Sequence, residues 1–215
     1  MMKDIRKILV DMGACDEAIE WSSGYTTLAD AWLACECTNW MLWLIARLPG
    51  DTRRSVLVAC AFARLALPYV REGEQTLHKI IELVERWAAG DDTVSRSQLQ
   101  DAYIDAHAAY ADAHAAIAHA AHAAHAAAVH AVVYAAAAVY AAYAVPAVYA
   151  AYAADAATAA TAAAADAADA DAYDADAARN KVRAECAAIV RLHYPADEIE
   201  RLIIKWAENR IKFRG

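Results

Sequence analysis

Apolar residues in the first hundred positions recur every three or four residues, the spacing that places them on one side of an α-helix rather than one face of a strand. Ile5, Ile8, Leu9 and Met12 make a first stripe that closes near Gly13. Asp16 is placed to cap a second helix ending before Gly24, and Thr27 to cap a third over Leu28–Ala34. Asn39-Trp40-Met41-Leu42-Trp43-Leu44-Ile45 is apolar nearly all round, which predicts a buried helix ending near Pro49-Gly50. Asp51 suits the start of a helix over 52–67 that Pro68 ends or kinks. Residues 74–89 read as a further amphipathic helix, with Leu77, Ile80, Ile81, Leu83, Val84 and Trp87 inward and Gly90 past its end. Thr93 is the expected cap of the next element.

The pattern then changes. From Asp101 to Ala178 the chain is written almost wholly in Ala, Asp, His, Tyr, Val and Thr, with no Lys, Arg or Gly, and more than half of it is Ala. Ala has the highest helix propensity, and no cluster of turn residues interrupts the run, so it reads as helix. At about 100° per residue, Tyr103, His107, Tyr110, His114 and Ile117 share one face, predicted to be the inner one, with Asp101, Asp105 and Asp112 opposite. Pro146 is the one strong breaker. Past it, Asp155, Asp166, Asp169, Tyr173 and Asp176 share a face, and the remaining faces up to Ala170 are Ala. A helix with one thin polar stripe is expected to have neighbours on most sides. As a single rod the tract would reach roughly 115 Å at 1.5 Å per residue, so at least two and more naturally three helices are expected from it, folded against the N-terminal set. Beyond Arg179 an ordinary stripe returns with Val182, Cys186, Ile189 and Val190, Pro195 stops it, and residues 197–212 form a last amphipathic helix. The expectation is one all-α domain over residues 1–215, a compact multi-helix bundle with closely packed Ala-rich helices in its middle.

Charge refines this picture. The net charge is -8, and the tract alone carries nine Asp and no basic residue, so the rest of the chain sums to about +1. Such a balance excludes nucleic-acid binding through a basic face. The residues from Ala113 to Ala154 lack Asp, Glu, Lys and Arg, yet Ala contributes little to membrane insertion, and Leu is absent there, so no span is expected. The five cysteines are irregularly spaced, and Met1-Met2-Lys3-Asp4 opens straight into an amphipathic pattern. Reduced, mostly buried thiols in a cytoplasmic protein are expected.

Chemistry-bearing patterns are few. His119, His122 and His125 follow H-x-x-H-x-x-H, but the outer two point about 120° apart on a helix and no carboxylate stands nearby, so no metal site is expected. Six of the eight histidines lie in the tract, which predicts helix packing that responds to pH. Tyr134, Tyr140, Tyr143, Tyr149 and Tyr152 supply most of the large contact area among the alanines. Thr158 and Thr161 do not repeat at eleven residues, which removes an ice-binding helix. No phosphate loop, dinucleotide fingerprint, nucleophile elbow or zinc-cysteine pattern is present, so neither an enzyme nor a cofactor is expected.

Three stretches carry a resemblance: Asn39-Trp40-Met41-Leu42-Trp43-Leu44-Ile45-Ala46-Arg47-Leu48, Ala59-Cys60-Ala61-Phe62-Ala63-Arg64-Leu65-Ala66-Leu67-Pro68-Tyr69-Val70 and Cys186-Ala187-Ala188-Ile189-Val190-Arg191-Leu192-His193-Tyr194-Pro195. With the Ala-rich middle between them, the chain resembles a group of small helical proteins of bacteriophages and bacteria that are named immunity proteins by their association with polymorphic-toxin loci. The resemblance implies a non-enzymatic protein of the bacterial cytoplasm that neutralises another protein, a toxin or a defence component. The Asp155, Asp166, Asp169, Tyr173, Asp176 face is then the expected partner surface. The alternative is a protein that sequesters a small nucleotide signal, for which Arg64, Tyr69, Arg71, Arg191 and Tyr194 are the conceivable lining. Both readings leave a homo-oligomer open.

Overall fold

Eleven helices follow one another without a strand among the described residues, which are 5–70, 75–115, 127–137, 148–167 and 172–212 of a computed structural model. They are α1 (Ile5–Met12), α2 (Asp16–Ser22), α3 (Leu28–Ala34), α4 (Thr38–Ile45), α5 (Thr52–Ala66), α6 (Gln75–Ala88), α7 (Arg96–Ala115), α8 (127–137), α9 (Val148–Ala167), α10 (Ala172–His193) and α11 (Ala196–Lys212), with a 3-10 turn at Leu67–Tyr69.

Local chemistry sets most of these boundaries. The Thr27 hydroxyl accepts from Asp30 N and starts α3, and the Asp51 carboxylate accepts from Arg53 N at the start of α5. Gly13 and Gly90 take φ of 78° and 93° just past α1 and α6, a left-handed conformation that side chains resist. Pro68 converts the end of α5 into the 3-10 turn. Two caps differ from expectation. Cys15 is the N-cap of α2, and Asp16 occupies its first turn, where a carboxylate favours the helix dipole. At α7 the cap is Ser95, not Thr93. Ser95 Oγ accepts from Gln98 N at 3.2 Å, and Gln98 Oε1 accepts from Ser95 N at 2.8 Å. That reciprocal pair is a capping box. Thr93 is held instead by Asp91, and hydrogen bonds from the Thr93 side chain and backbone pull the Asp91 carboxyl down to about 2.

The core is built around α9. It packs most extensively on α5 and α10 and also meets α4. Ala153, Ala156, Ala157, Ala159, Ala160, Ala163, Ala164 and Ala165 are buried, while Asp155 and Thr158 remain exposed. α5 is buried almost all round, through Val56, Val58, Ala59, Cys60, Phe62, Ala63 and Ala66. A buried methyl contributes only about 0.8 kcal/mol by transfer, so α9 does not anchor the fold through the size of its side chains. It lets α4, α5 and α10 approach closely, and dispersion accumulates over that contact.

The tract is thus divided among α7, α8, α9 and the start of α10, and the single rod is ruled out. α9 and α10, separated by four residues, pack against each other as a hairpin, and Thr158, Thr161 and Ala162 line the same cleft as Arg179 and Arg183. Two expectations change. In α7 the inner face is Leu99, Ala102 and Ala106, with Tyr103 and Tyr110 only half-buried at its flank and His107 exposed. Methyl groups allow closer approach than rings, so the Ala side wins the interior. Of the Asp stripe, Asp155 and Asp166 belong to α9 and Tyr173 and Asp176 to α10, while Asp169 lies outside the described residues. The expected break at Pro146 lies outside the described residues. No described helix is long and apolar enough to cross a membrane.

Close packing around α9 predicts that enlargement is penalised there and tolerated elsewhere in the same tract. Ala160→Leu, at a fully buried position, is expected to lower unfolding stability by about 1–3 kcal/mol. Ala108→Leu, at an exposed position on α7, is expected to change it by less than about 0.5 kcal/mol. Urea unfolding of the two variants checks the contrast.

Candidate functional site

The residues expected to line a ligand site are placed as ties between helices. Arg64 on α5 donates two parallel hydrogen bonds to Glu85 on α6, both 2.6 Å. This bidentate bond raises the guanidinium pKa. Arg191 donates to the Cys35 carbonyl at 2.7 Å and fastens the 35–37 loop to α10. Tyr194 is buried at the corner between α10 and α11. Its carbonyl accepts from Trp32 Nε1 at 2.9 Å, and its hydroxyl shares a 2.8 Å hydrogen bond with Ser55 Oγ. Arg54 lies over its ring, 5.2 Å from the centroid, and pairs with Glu198 of α11. Tyr69 is half-buried in the 3-10 turn. Arg71 lies outside the described residues. Arg64, Tyr69, Arg191 and Tyr194 line neither cleft described below.

Of the acidic face, Asp155 is exposed on α9, and Asp176 is exposed on α10, where it pairs with Arg179. Partial burial raises the Asp155 pKa against the opposing pull of His130. The backbones of Asp166 and Tyr173 belong to α9 and α10, while Asp169 lies outside the described residues. His119, His122 and His125 also lie outside them. Among the described residues, no three of His, Cys, Asp and Glu are grouped to hold a metal. Tyr110, His130 and Tyr134 form a stack between α7 and α8, with ring centroids 4.4 and 4.3 Å apart.

Two concave regions stand out. One is almost wholly apolar, about 250 Å³, walled by α1 to α4 and by Trp21, Trp32, Trp40 and Trp43. Arg47 covers the Trp43 ring at 3.9 Å. The other is polar and larger, about 680 Å³, and opens between the start of α4, the middle of α9 and the first half of α10. Glu36, Cys37, Thr38 and Asn39 border it from the α4 side, Thr158 and Thr161 from α9, and Arg179, Asn180 and Arg183 from α10. Thr161 Oγ donates to the Ala157 carbonyl at 2.8 Å. Thr38 is 8% exposed, and its buried hydroxyl has no hydrogen-bond partner.

The sequence did carry a trace of this cleft. Arg179 and Arg183 are one helical turn apart, as are Thr158 and Thr161, each pair on one helix face. Nothing in one sequence states that α9 and α10 fold back so that the two pairs meet, so they went unjoined.

The thiols divide by burial. Desolvation pushes Cys35 up to about 11 and Cys186 up to about 12, and raises Cys60 further, whereas Cys15 is exposed and Cys37 half-exposed.

Two outcomes follow from the corner at Tyr194. Tyr194→Phe leaves the buried Ser55 hydroxyl without its partner and is expected to cost about 1–3 kcal/mol of stability, readable in chemical unfolding. Next to it, burial and the nearby Arg54 charge depress the His193 pKa below its ordinary 6.5. The unfolded chain therefore binds the proton more readily. Stability is full above about pH 6.5 and falls as pH drops below it. His193→Gln is expected to flatten that part of the stability–pH curve, which thermal melts between about pH 5 and 8 would measure.

No protein family, no curated protein and no solved structure matches this chain.

Proposed function

We propose that this chain acts by binding, without a bond-making step, and that it sequesters a small polar ligand in the cleft between α4, α9 and α10. The observation that supports this reading is the convergence of polar side chains from three helices on one space of about 680 Å³. That volume falls within the usual range for small-molecule pockets. Glu36, Asn39, Thr158, Asn180 and Arg183 reach the cleft from the solvent side, while Thr38 brings a buried hydroxyl to its floor.

A second reading takes the chain as a protein that neutralises another protein, as an immunity or phage counter-defence factor of a bacterial host cell would. The resemblance at residues 39–48, 59–70 and 186–195 favours it, together with the exposed carboxylates of Asp155 and Asp176. There the cleft would be a by-product of the α9–α10 hairpin.

Native mass spectrometry separates the two. After incubation with a small-molecule extract of bacteria, the full chain is expected to retain an added mass that Arg183→Ala removes. A chain that retains no small molecule, yet binds one host protein in a manner lost in the Asp155→Asn, Asp176→Asn double variant, overturns the cleft reading in favour of the second.

A further inference from the structure

Building on the cleft reading, we infer that the ligand carries a phosphate group, held between the N-terminus of α4 and the Arg183 guanidinium. Four observations combine.

The first concerns α4, whose opening residues border the cleft. The first N–H groups of a helix have no partner within it, and Cys37 at the N-cap supplies no side-chain hydrogen bond. These donors, with the positive end of the helix dipole, favour an anion. The second is Thr38, the first residue of α4. Its hydroxyl is buried and unpaired while the residue lines the cleft. An oxygen acceptor placed there would satisfy it.

The third is the state of the two arginines. Five other guanidinium groups are committed: Arg54 to Glu198, Arg64 to Glu85, Arg86 to Asp91, Arg201 to Asp197, and Arg191 to a carbonyl. Arg179 is tied to Asp176 at the rim. Arg183 lines the cleft, is exposed, and makes no ion pair with any described residue. Against these two cations the described lining sets one carboxylate, Glu36.

The fourth is the number of donors. Thr38, Asn39, Asn180 and Arg183, together with the α4 amides, offer more than the two oxygens of a carboxylate would use. A phosphate presents three or four oxygens with multiple lone pairs and suits the planar fork of arginine. Among the described residues no aromatic side chain lines the cleft, so none of them offers a ring to stack a base. Recognition therefore falls on the phosphate, and inorganic phosphate and a phosphomonoester should bind alike.

Cys37 provides the readout, because it lines the cleft and is half-exposed while Cys35, Cys60 and Cys186 are buried. In a full-length Cys15→Ser chain, the rate of Cys37 alkylation by uncharged N-ethylmaleimide is followed in inorganic phosphate, in adenosine monophosphate, and in sodium chloride of equal ionic strength. Saturating phosphate is expected to slow the reaction about tenfold relative to chloride, with the same protection from the monophosphate. Arg183→Gln, at an exposed position, should keep the wild-type melting temperature and weaken the apparent phosphate affinity about tenfold. Thr38→Val should weaken it as well. Equal rates in phosphate and chloride overturn the inference, as does undiminished protection in Arg183→Gln. If phosphate fails while an uncharged component of the bacterial extract protects Cys37, the ligand class is wrong and the cleft remains a binding site. If nothing protects Cys37, the cleft reading falls too.

Discussion

The distance at which α9 lies from α4, α5 and α10 governs the rest of this fold. A helix whose inward side chains are single methyl groups can be approached on several sides at once, and α9 is buried over much of its surface. The larger buried side chains stand on the helices around it, such as Met41 and Leu42 on α4, Val56 and Phe62 on α5 and Leu77 and Ile81 on α6. The arrangement has a physical cost. Each methyl removes little apolar surface from water, so the assembly depends on fit across many small contacts more than on any anchor residue. Among the described residues, the less buried side of α9 carries Asp155, Thr158 and Thr161.

Close approach alone does not set the order in which helices surround α9. Directional bonds do, and many gather where α10 turns into α11. Tyr194 reaches α5 through Ser55 and α3 through Trp32, Arg191 holds the loop before α4, and Arg54 reaches α11 through Glu198. These bonds join residues more than a hundred positions apart in sequence. They fix the start of α4 relative to α10, so the two walls of the polar cleft are positioned by the same clamp that holds the bundle together.

Much of the helical layout was legible in the chain, because periodicity, caps and breakers are local signals. The stripe at Ile5, Ile8, Leu9 and Met12, the caps at Thr27 and Asp51 and the stop at Pro195 all lie where the pattern places them. The Ser95–Gln98 capping box was equally visible in sequence, but it competed with Thr93 two residues earlier, and only the hydrogen bonds distinguish them. The inner face of α7 was misread for a different reason. Hydrophobic size suggests Tyr and His inward, while interhelical spacing selects Ala. The cleft was the least legible part, since Thr38, Thr158 and Arg183 lie far apart in the chain and acquire a common meaning only through the α9–α10 hairpin. Arg191 and Tyr194 looked like ligand-binding types because an isolated arginine or tyrosine carries no mark of the backbone carbonyl or hydroxyl it will meet.

The tryptophans are distributed with equal asymmetry. Trp21, Trp32, Trp40 and Trp43 surround the apolar hollow between α1 and α4, Trp87 sits at the end of α6 and Trp206 on α11, and the Ala-rich tract has none. Indole emission therefore has no reporter inside the tract and senses α9 only through α4, on which it packs. Fraying of α8 would register in far-ultraviolet dichroism and in tyrosine absorbance more strongly than in the fluorescence maximum. In this molecule, disagreement between those two optical signals is a map of where the chain has let go.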